Sequence, residues 1–296
     1  MNTNPLIVNL APTGMVACKS ENSSLPTSPD EIIKDLLQCA ELGISIVHLH
    51  ARDSNENPSS DPKIYAELIE RIRSSEHLKN LVVCVSTSGR QTPDVTQRAA
   101  VLTLDGNFKP DMASLTLGSL NFIDQASVNS PSSIRYLAEM MLKHDIKPEL
   151  EIFDSGMINF AKVLIKERLL KPPYYFNLIL GNISSAQATL KDLAMLVEAL
   201  PHDSYWSVGG IGRYQKSMNG IGVGAADGVR VGLEDNLWTD EDRTTIASNY
   251  QLLERVHAQA KALGRSVMTP EMLRRNLGLT QTALYPGFAY SDNRSY

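Results

Sequence analysis

The chain has 296 residues, 28 basic against 33 acidic, and a formal net charge of −5. With 43% hydrophobic and 21% charged residues it reads as a globular sequence, long enough for one large domain or two ordinary ones. The mild acidity argues against a nucleic-acid partner, and the lack of any apolar run near the roughly 20 residues that span a bilayer argues against a membrane one.

The N-terminus, MNTNPLIVNLAPTGM, carries no basic residue ahead of its short apolar run, so it reads as a first strand and not as a signal peptide. Further short apolar runs follow at 44–50 (ISIVHLH), 80–86 (NLVVCVS), 112–117 (MASLTL), 148–153 (PELEIF), 174–180 (YYFNLIL), 205–210 (YWSVGG) and 227–233 (DGVRVGL). Helical patterns lie between them. The clearest starts at Ser28-Pro29-Asp30-Glu31, a capping-box signature with proline at the first helical position. Ile32, Ile33, Leu36, Leu37 and Ala40 then recur at helical spacing until Gly43. Similar helices are predicted at 62–75, 131–144, 156–168, 189–200 and 241–262. Eight strands mostly separated by helices suggest parallel βαβ units, and one domain of this size matches a (β/α)8 TIM barrel. The prediction is a single domain over 1–296 with a short polar C-terminal extension from about 286. A doubly wound sheet is the runner-up, but Thr13-Gly14-Met15-Val16 does not supply its Gly-rich fingerprint. Cys18, Cys39 and Cys84 are odd in number and lack CxxC spacing, so a reducing cytoplasm is the default compartment.

His48 and His50 end the second strand and point to one face, since alternate strand residues share a face. They read either as a metal-ligand pair on the catalytic end of the barrel or as polar strand-end residues. Arg52 and Asp53 just beyond favour the metal, as groups that commonly sit behind ligand histidines. Glu234, in the acid pair Glu234-Asp235, is the candidate third ligand, and the same pair would also suit a helix N-terminus. Arg230 shares the strand face of Gly232 and would bind a carboxylate or keep Asp235 ionised. Ser86 and Gly89 end strand three, Ser114 and Thr116 lie on strand four, and Glu149 and Glu151 on strand five. A buried Glu there needs Arg230 or a ligand histidine as partner. Gly210, Gly212 and Arg213 follow strand seven, where such barrels often bind phosphate, although a tight turn explains them almost as well.

In order along the chain, TG at 13–14, LPTSPDEI at 25–32, HLHARD at 48–53, STSG at 86–89, MASLTLGSLNF at 112–122, PELEIFDSGM at 148–157, GGIGRYQ at 209–215, VRVGLEDNL at 229–237 and SNYQLLERV at 248–256 resemble the β-keto acid cleavage enzymes. The resemblance implies a (β/α)8 barrel, a homotetramer, and one zinc per subunit on His48, His50 and Glu234. It implies a reaction of a β-keto acid with acetyl-CoA that gives acetoacetate and a new acyl-CoA. Asp235 looks like the base, supported by Arg230, while Ser86, Ser114 and Glu151 resemble the catalytic or substrate-binding set. Thr116 and Gly89 join Ser114 as candidate substrate contacts, and Gly210, Gly212 and Arg213 as candidates for the CoA phosphates. One departure stands out. Where the founding 3-keto-5-aminohexanoate activity places an acid to pair with the substrate amine, this chain has Val16, which cannot pair with an ammonium. Lys19 nearby would favour an anionic tail or stand solvated. Two other readings stay open: a zinc-dependent hydrolase or aldolase that needs no CoA, and a structural zinc, against which the count of three convincing ligands speaks.

Overall fold

The structure is a computed structural model, and it describes residues 2–279; the extension predicted from about 286 lies outside them. The eight predicted apolar runs are eight strands: β1 (Ile7–Leu10), β2 (Ile46–Leu49), β3 (Val82–Val85), β4 (Met112–Thr116), β5 (Lys147–Ile152), β6 (Tyr174–Leu180), β7 (Ser204–Gly210) and β8 (Gly228–Val231). Each pairs in parallel with the next, and β8 closes onto β1. The fold is the expected α/β (β/α)8 barrel.

The helices, all but the last, cover the outside of the barrel. They are α1 (Pro29–Leu42), α2 (Pro62–Ser74), α3 (Val95–Ala99), α4 (Pro131–Lys143), α5 (Ser155–Lys166), α6 (Leu190–Ala199), α7 (Gln215–Ala225), α8 (Asn249–Ala262) and α9 (Pro270–Leu277). Ser28 caps α1 with the reciprocal Ser28–Glu31 bonds that the sequence predicts. None of these helices is long and apolar enough to cross a membrane.

Of three differences from the sequence reading, the first has a local cause and the other two a tertiary one. Residues 241–248 are not helical. Asp240 accepts the Thr244 and Thr245 N–H groups, Trp238 bridges Ile246, and a fresh capping box, Ser248 with Gln251, starts α8 at Asn249. The helix α7 carries Gly220, Gly222 and Gly224, each a poor helix former, so its pattern is faint in sequence. Packing overrides that propensity: a Cβ on Gly222 would meet Val208 at 2.6 Å and Val229 at 2.7 Å, so glycine lets α7 lie directly on β7 and β8. The third, α9, does not lie on the barrel wall.

The barrel interior changes character along its axis. At the N-terminal end Ile7, Ile46, Val82, Met112 and Tyr175 pack with Met268, Leu273 and Leu277, so α9 plugs the bottom. Arg274 fixes the plug with bonds of 2.7 Å to each oxygen of Asp111. Above this layer the inward residues turn polar: Asn9, His48, Glu149, Asn177 and Ser207, all buried. At the C-terminal mouth two short hairpins, Ala51–Arg52 with Pro58–Ser59 and Leu120–Asn121 with Ala126–Ser127, rise from β2 and β4.

Candidate active site

The polar layer is organised by one carboxylate. Glu149 on β5 is fully buried, and four groups from four other strands reach it. Asn9 and Asn177 donate to Oε1 at 2.6 and 3.1 Å, while His48 Nδ1 and Cys84 Sγ reach Oε2 at 2.6 and 3.3 Å. Burial works against the anion, but His48 and Arg230 outweigh it and hold Glu149 down at about 2. In return, against the lowering effect of burial, Glu149 and Glu234 raise His48 to about 9. An ionised Glu149 accepts, so Nδ1 of His48 carries the proton and donates, and Nε2 faces the mouth.

Facing the mouth, His48 Nε2 lies 3.3 Å from His50 Nε2 and 3.9 Å from Glu234 Oε1, and His50 Nε2 lies 3.2 Å from Glu234 Oε1. These three residues can together hold a metal ion. Two observations fit a divalent ion there. The second Glu234 oxygen is buried without a hydrogen-bond donor. The His48 ring is also backed by a carboxylate, the arrangement usual behind ligand histidines. His48, Cys84 and Glu149 form the other compact cluster among the described residues. There the carboxylate is already occupied by four donors, and burial drives the Cys84 thiol far above its usual range, so a thiolate ligand is disfavoured.

The route by which Glu234 arrives differs from simple strand alternation. β8 ends at Val231, and Gly232 turns the chain at φ 147, where a side chain would meet the Ala11 carbonyl at 2.1 Å. Glu234 and Asp235 come back over the barrel on that turn. Arg230, itself buried, takes both: Nη2 lies 2.5 Å from Glu234 and Nε 2.7 Å from Asp235. Its Nη1 is 3.7 Å from Glu151 and has no hydrogen-bond partner. Despite burial, Arg230 and the two histidines hold Glu234 well below the carboxylate range. Asp235 goes the other way. Burial and the Glu234 charge push it up, and Arg230 only partly offsets them. The acid pair does not start a helix; α8 begins at Asn249 under Ser248.

A cavity of about 260 Å³ opens above this cluster. Of the predicted site residues, His50, Ser86, Thr116, Glu151, Arg230, Glu234 and Asp235 line it. Thr116 donates to Glu151 at 2.6 Å. Ser114 is turned away and accepts the Thr87 N–H at 3.1 Å, and Gly89 packs against the Arg98 guanidinium. Gly210 is buried at the end of β7, Arg213 is exposed, and the Gly212 N–H is taken by the Asp235 carbonyl at 2.7 Å. The glycine loop therefore secures the acid-bearing turn. Arg52 and Asp53 do not reach the histidines as expected. Arg52 clamps the Gly14 and Ala17 carbonyls, Asp53 caps its own loop, and Glu149 stands behind His48 instead. Nor does Lys19 stand free, since it pairs with Glu31 and Glu56 at 2.6 and 3.0 Å. Val16 does line the cavity. Sequence reasoning missed Arg90 and Phe122 on the same wall; an arginine directly after Ser86-Thr87-Ser88-Gly89 was the available signal. A larger cleft of about 340 Å³ lies at the plugged end, beside Leu277 and Lys147, away from the cluster.

A parallel eight-stranded barrel whose mouth gathers two histidines, a carboxylate, a buried arginine and a second carboxylate defines a metal-capable (β/α)8 enzyme architecture. The chain belongs to the beta-keto acid cleavage enzyme family, whose model matches residues 5–279. It is 34% identical over 275 residues to the 3-keto-5-aminohexanoate cleavage enzyme of Fusobacterium nucleatum subsp. nucleatum, covering 93% of this chain and 98% of that one. It is also 34% identical over 280 residues to the 3-oxoadipate:acetyl-CoA acetyltransferase of Cupriavidus necator, covering 94% and 96%. Among solved structures, the binary complex of ObcA with oxaloacetate is similar in fold, with a TM-score of 0.74 at 20% identity over 87% of this chain and 68% of that one.

Proposed function

We propose that the protein is a zinc-dependent acyltransferase that converts a β-keto acid and acetyl-CoA into acetoacetate and a new acyl-CoA. The observation that carries this is Asp235. It is a carboxylate held 2.7 Å from Arg230, and it lines the same cavity as His50 and Glu234 of the candidate ligand cluster. His48, His50 and Glu234 would hold the ion, and the ion when bound supplies positive charge that stabilises an enolate.

The residues then divide the work. Asp235 accepts the C2 proton of the β-keto acid, a task suited to a carboxylate on the cavity wall whose affinity for a proton is raised by burial. The C2 carbon attacks the acetyl carbonyl and CoA leaves as thiolate. The thiolate attacks the original keto carbon, the bond from that carbon to C2 breaks, and the electron pair returns to C2. Asp235 gives its proton back, so acetoacetate and the new acyl-CoA balance the two reactants. Arg230 Nη1, buried and unbonded, offers a donor to an oxygen that gains charge, and Ser86 offers a hydroxyl on the same wall. Thr116 fixes Glu151 beside Arg230. We assign the CoA phosphates to the exposed Arg213 above β7, with Gly210 and Gly212 shaping that loop. The assembly is taken to be the homotetramer that the family resemblance implies, which light scattering tests.

The test is a panel of β-keto acids with zinc-loaded protein, with and without acetyl-CoA. Acetoacetate and a new acyl-CoA should form only when acetyl-CoA is present. In Asp235→Asn, kcat should fall by roughly 10²–10⁴, the usual range for a lost general base, with the metal content kept. Turnover without acetyl-CoA would move the site to a hydrolase or aldolase. Full zinc binding and acetoacetate formation in both His48→Ala and Glu234→Gln would overturn the ligand assignment.

A further inference from the structure

Two arginines line the cavity. Arg230 is compensated by Glu234, Asp235 and Glu151. Arg90 is not. Its guanidinium lies 3.8 Å over the Phe122 ring, its Nε is buried without a partner, and it forms no ion pair among the described residues. Asp124 and Glu234 are within electrostatic reach, but neither forms an ion pair with it: Asp124 lines the same cavity from the exposed 120–127 hairpin, and Glu234 is taken by Arg230. A half-buried cation stacked on an aromatic face and without an ion-pair contact is a receptor for an anion. The lining mixes apolar side chains, Val16, Leu120, Phe153, Ile179 and Ile211, with a few neutral polar ones such as Ser88 and Asn182. An aliphatic spacer fits its apolar part. Val16 is neutral and offers an ammonium no partner, and of the acids on the lining Glu151, Glu234 and Asp235 face Arg230 while Asp124 is exposed on the hairpin.

We propose that Arg90 selects β-keto acids carrying a second carboxylate at the far end of the chain, and disfavours those ending in an ammonium group. This deepens the function proposed above and rests on it. The substrate's own C1 carboxylate and a CoA phosphate carry related chemistry, and the experiment separates them. Wild type, R90Q and R90K are assayed with three β-keto acids that differ only in a terminal methyl, carboxylate or ammonium group. Wild type should favour the carboxylate over the methyl end by at least tenfold in kcat/KM. R90Q should lose at least tenfold of that ratio, chiefly through KM, and R90K should keep part of it. An unchanged ratio overturns the proposal, as does a wild-type preference for the ammonium end. A common loss on all three substrates assigns Arg90 to the C1 carboxylate, and a rise confined to the KM of acetyl-CoA assigns it to CoA; either outcome overturns it. A second arm needs no turnover: thermal stabilisation by glutarate against butyrate, in wild type and R90Q. If no β-keto acid reacts but glutarate stabilises wild type and not R90Q, the reaction falls and the dicarboxylate site stands. If glutarate has no such effect, the site falls whatever the reaction.

Discussion

Glu149 shows what a barrel interior demands of one residue. A carboxylate at the centre of a protein is costly unless its lone pairs are filled, and here both oxygens are filled by Asn9, Asn177, His48 and Cys84. One of those bonds also fixes the tautomer of His48, so the group that satisfies the core aims the candidate ligand nitrogen at the mouth. Glu149→Gln keeps the shape and removes the charge. It should weaken zinc binding by roughly 10–100-fold in a chelator competition. Unchanged affinity would reduce Glu149 to a packing residue. Sequence alone paired Glu149 with either Arg230 or a histidine. It could not choose, because strand spacing fixes which face a residue occupies and not which strand lies opposite. The stacking of Arg90 was hidden for a related reason: its position after Ser86-Thr87-Ser88-Gly89 hinted at the site, but only the 120–127 hairpin brings Phe122 beneath it.

At the scale of elements, the legible parts were those with strong local chemistry. YYFNLIL, buried on both faces, matched its strand residue for residue, and the Ser28 capping box marked α1 unmistakably. The helices α7 and α9 were not legible, because their reason to exist is tertiary. One needs glycine to approach the sheet, and the other exists to close the barrel floor. Leu273 is fully buried in that floor. Leu273→Ala should cost about 2–5 kcal/mol in denaturant unfolding, as buried leucine truncations do. A second junction, between α1 and α8, carries a pH signature. Burial raises Asp35 to about 6, and the Asn249 amide at 2.8 Å only partly offsets this. A raised folded-state pKa means that the folded protein binds a proton that the unfolded chain has already released. Stability from this group is therefore lost as pH climbs from about 4 to about 6. Asp35→Asn keeps an acceptor for Asn249 without the charge. Its melting temperature relative to wild type should rise across that window and stay raised above it; a pH-independent difference would rule the carboxyl out.

The whole molecule runs from a dry floor through a polar middle to an open mouth, and that gradient repeats in the sequence as strands whose inward residues go from Ile7 to Asn9 and from Ile46 to His48. The barrel class followed from the strand rhythm. The end of the barrel where the predicted site residues gather round one cavity followed from where the histidines fall. What the chain could not reveal was the turn at Gly232, which brings Glu234 and Asp235 back over the axis by a bend and not by pleat alternation.

That turn and the placement of the histidines divide the proposed ligand set by halves. His48 and His50 stand in the half built from β1 to β4, and Glu149 and Glu234 belong to the half that starts at β5. Ile123, at the hairpin tip before α4, is 80% exposed, so a protease can sever the folded chain close to the boundary. The two pieces would then each own half of a clasp, with the ion as its pin. Nicked, zinc-loaded protein should stay together on heating well past the point at which chelated, nicked protein separates, and equal parting temperatures would show that the pin bears no strain.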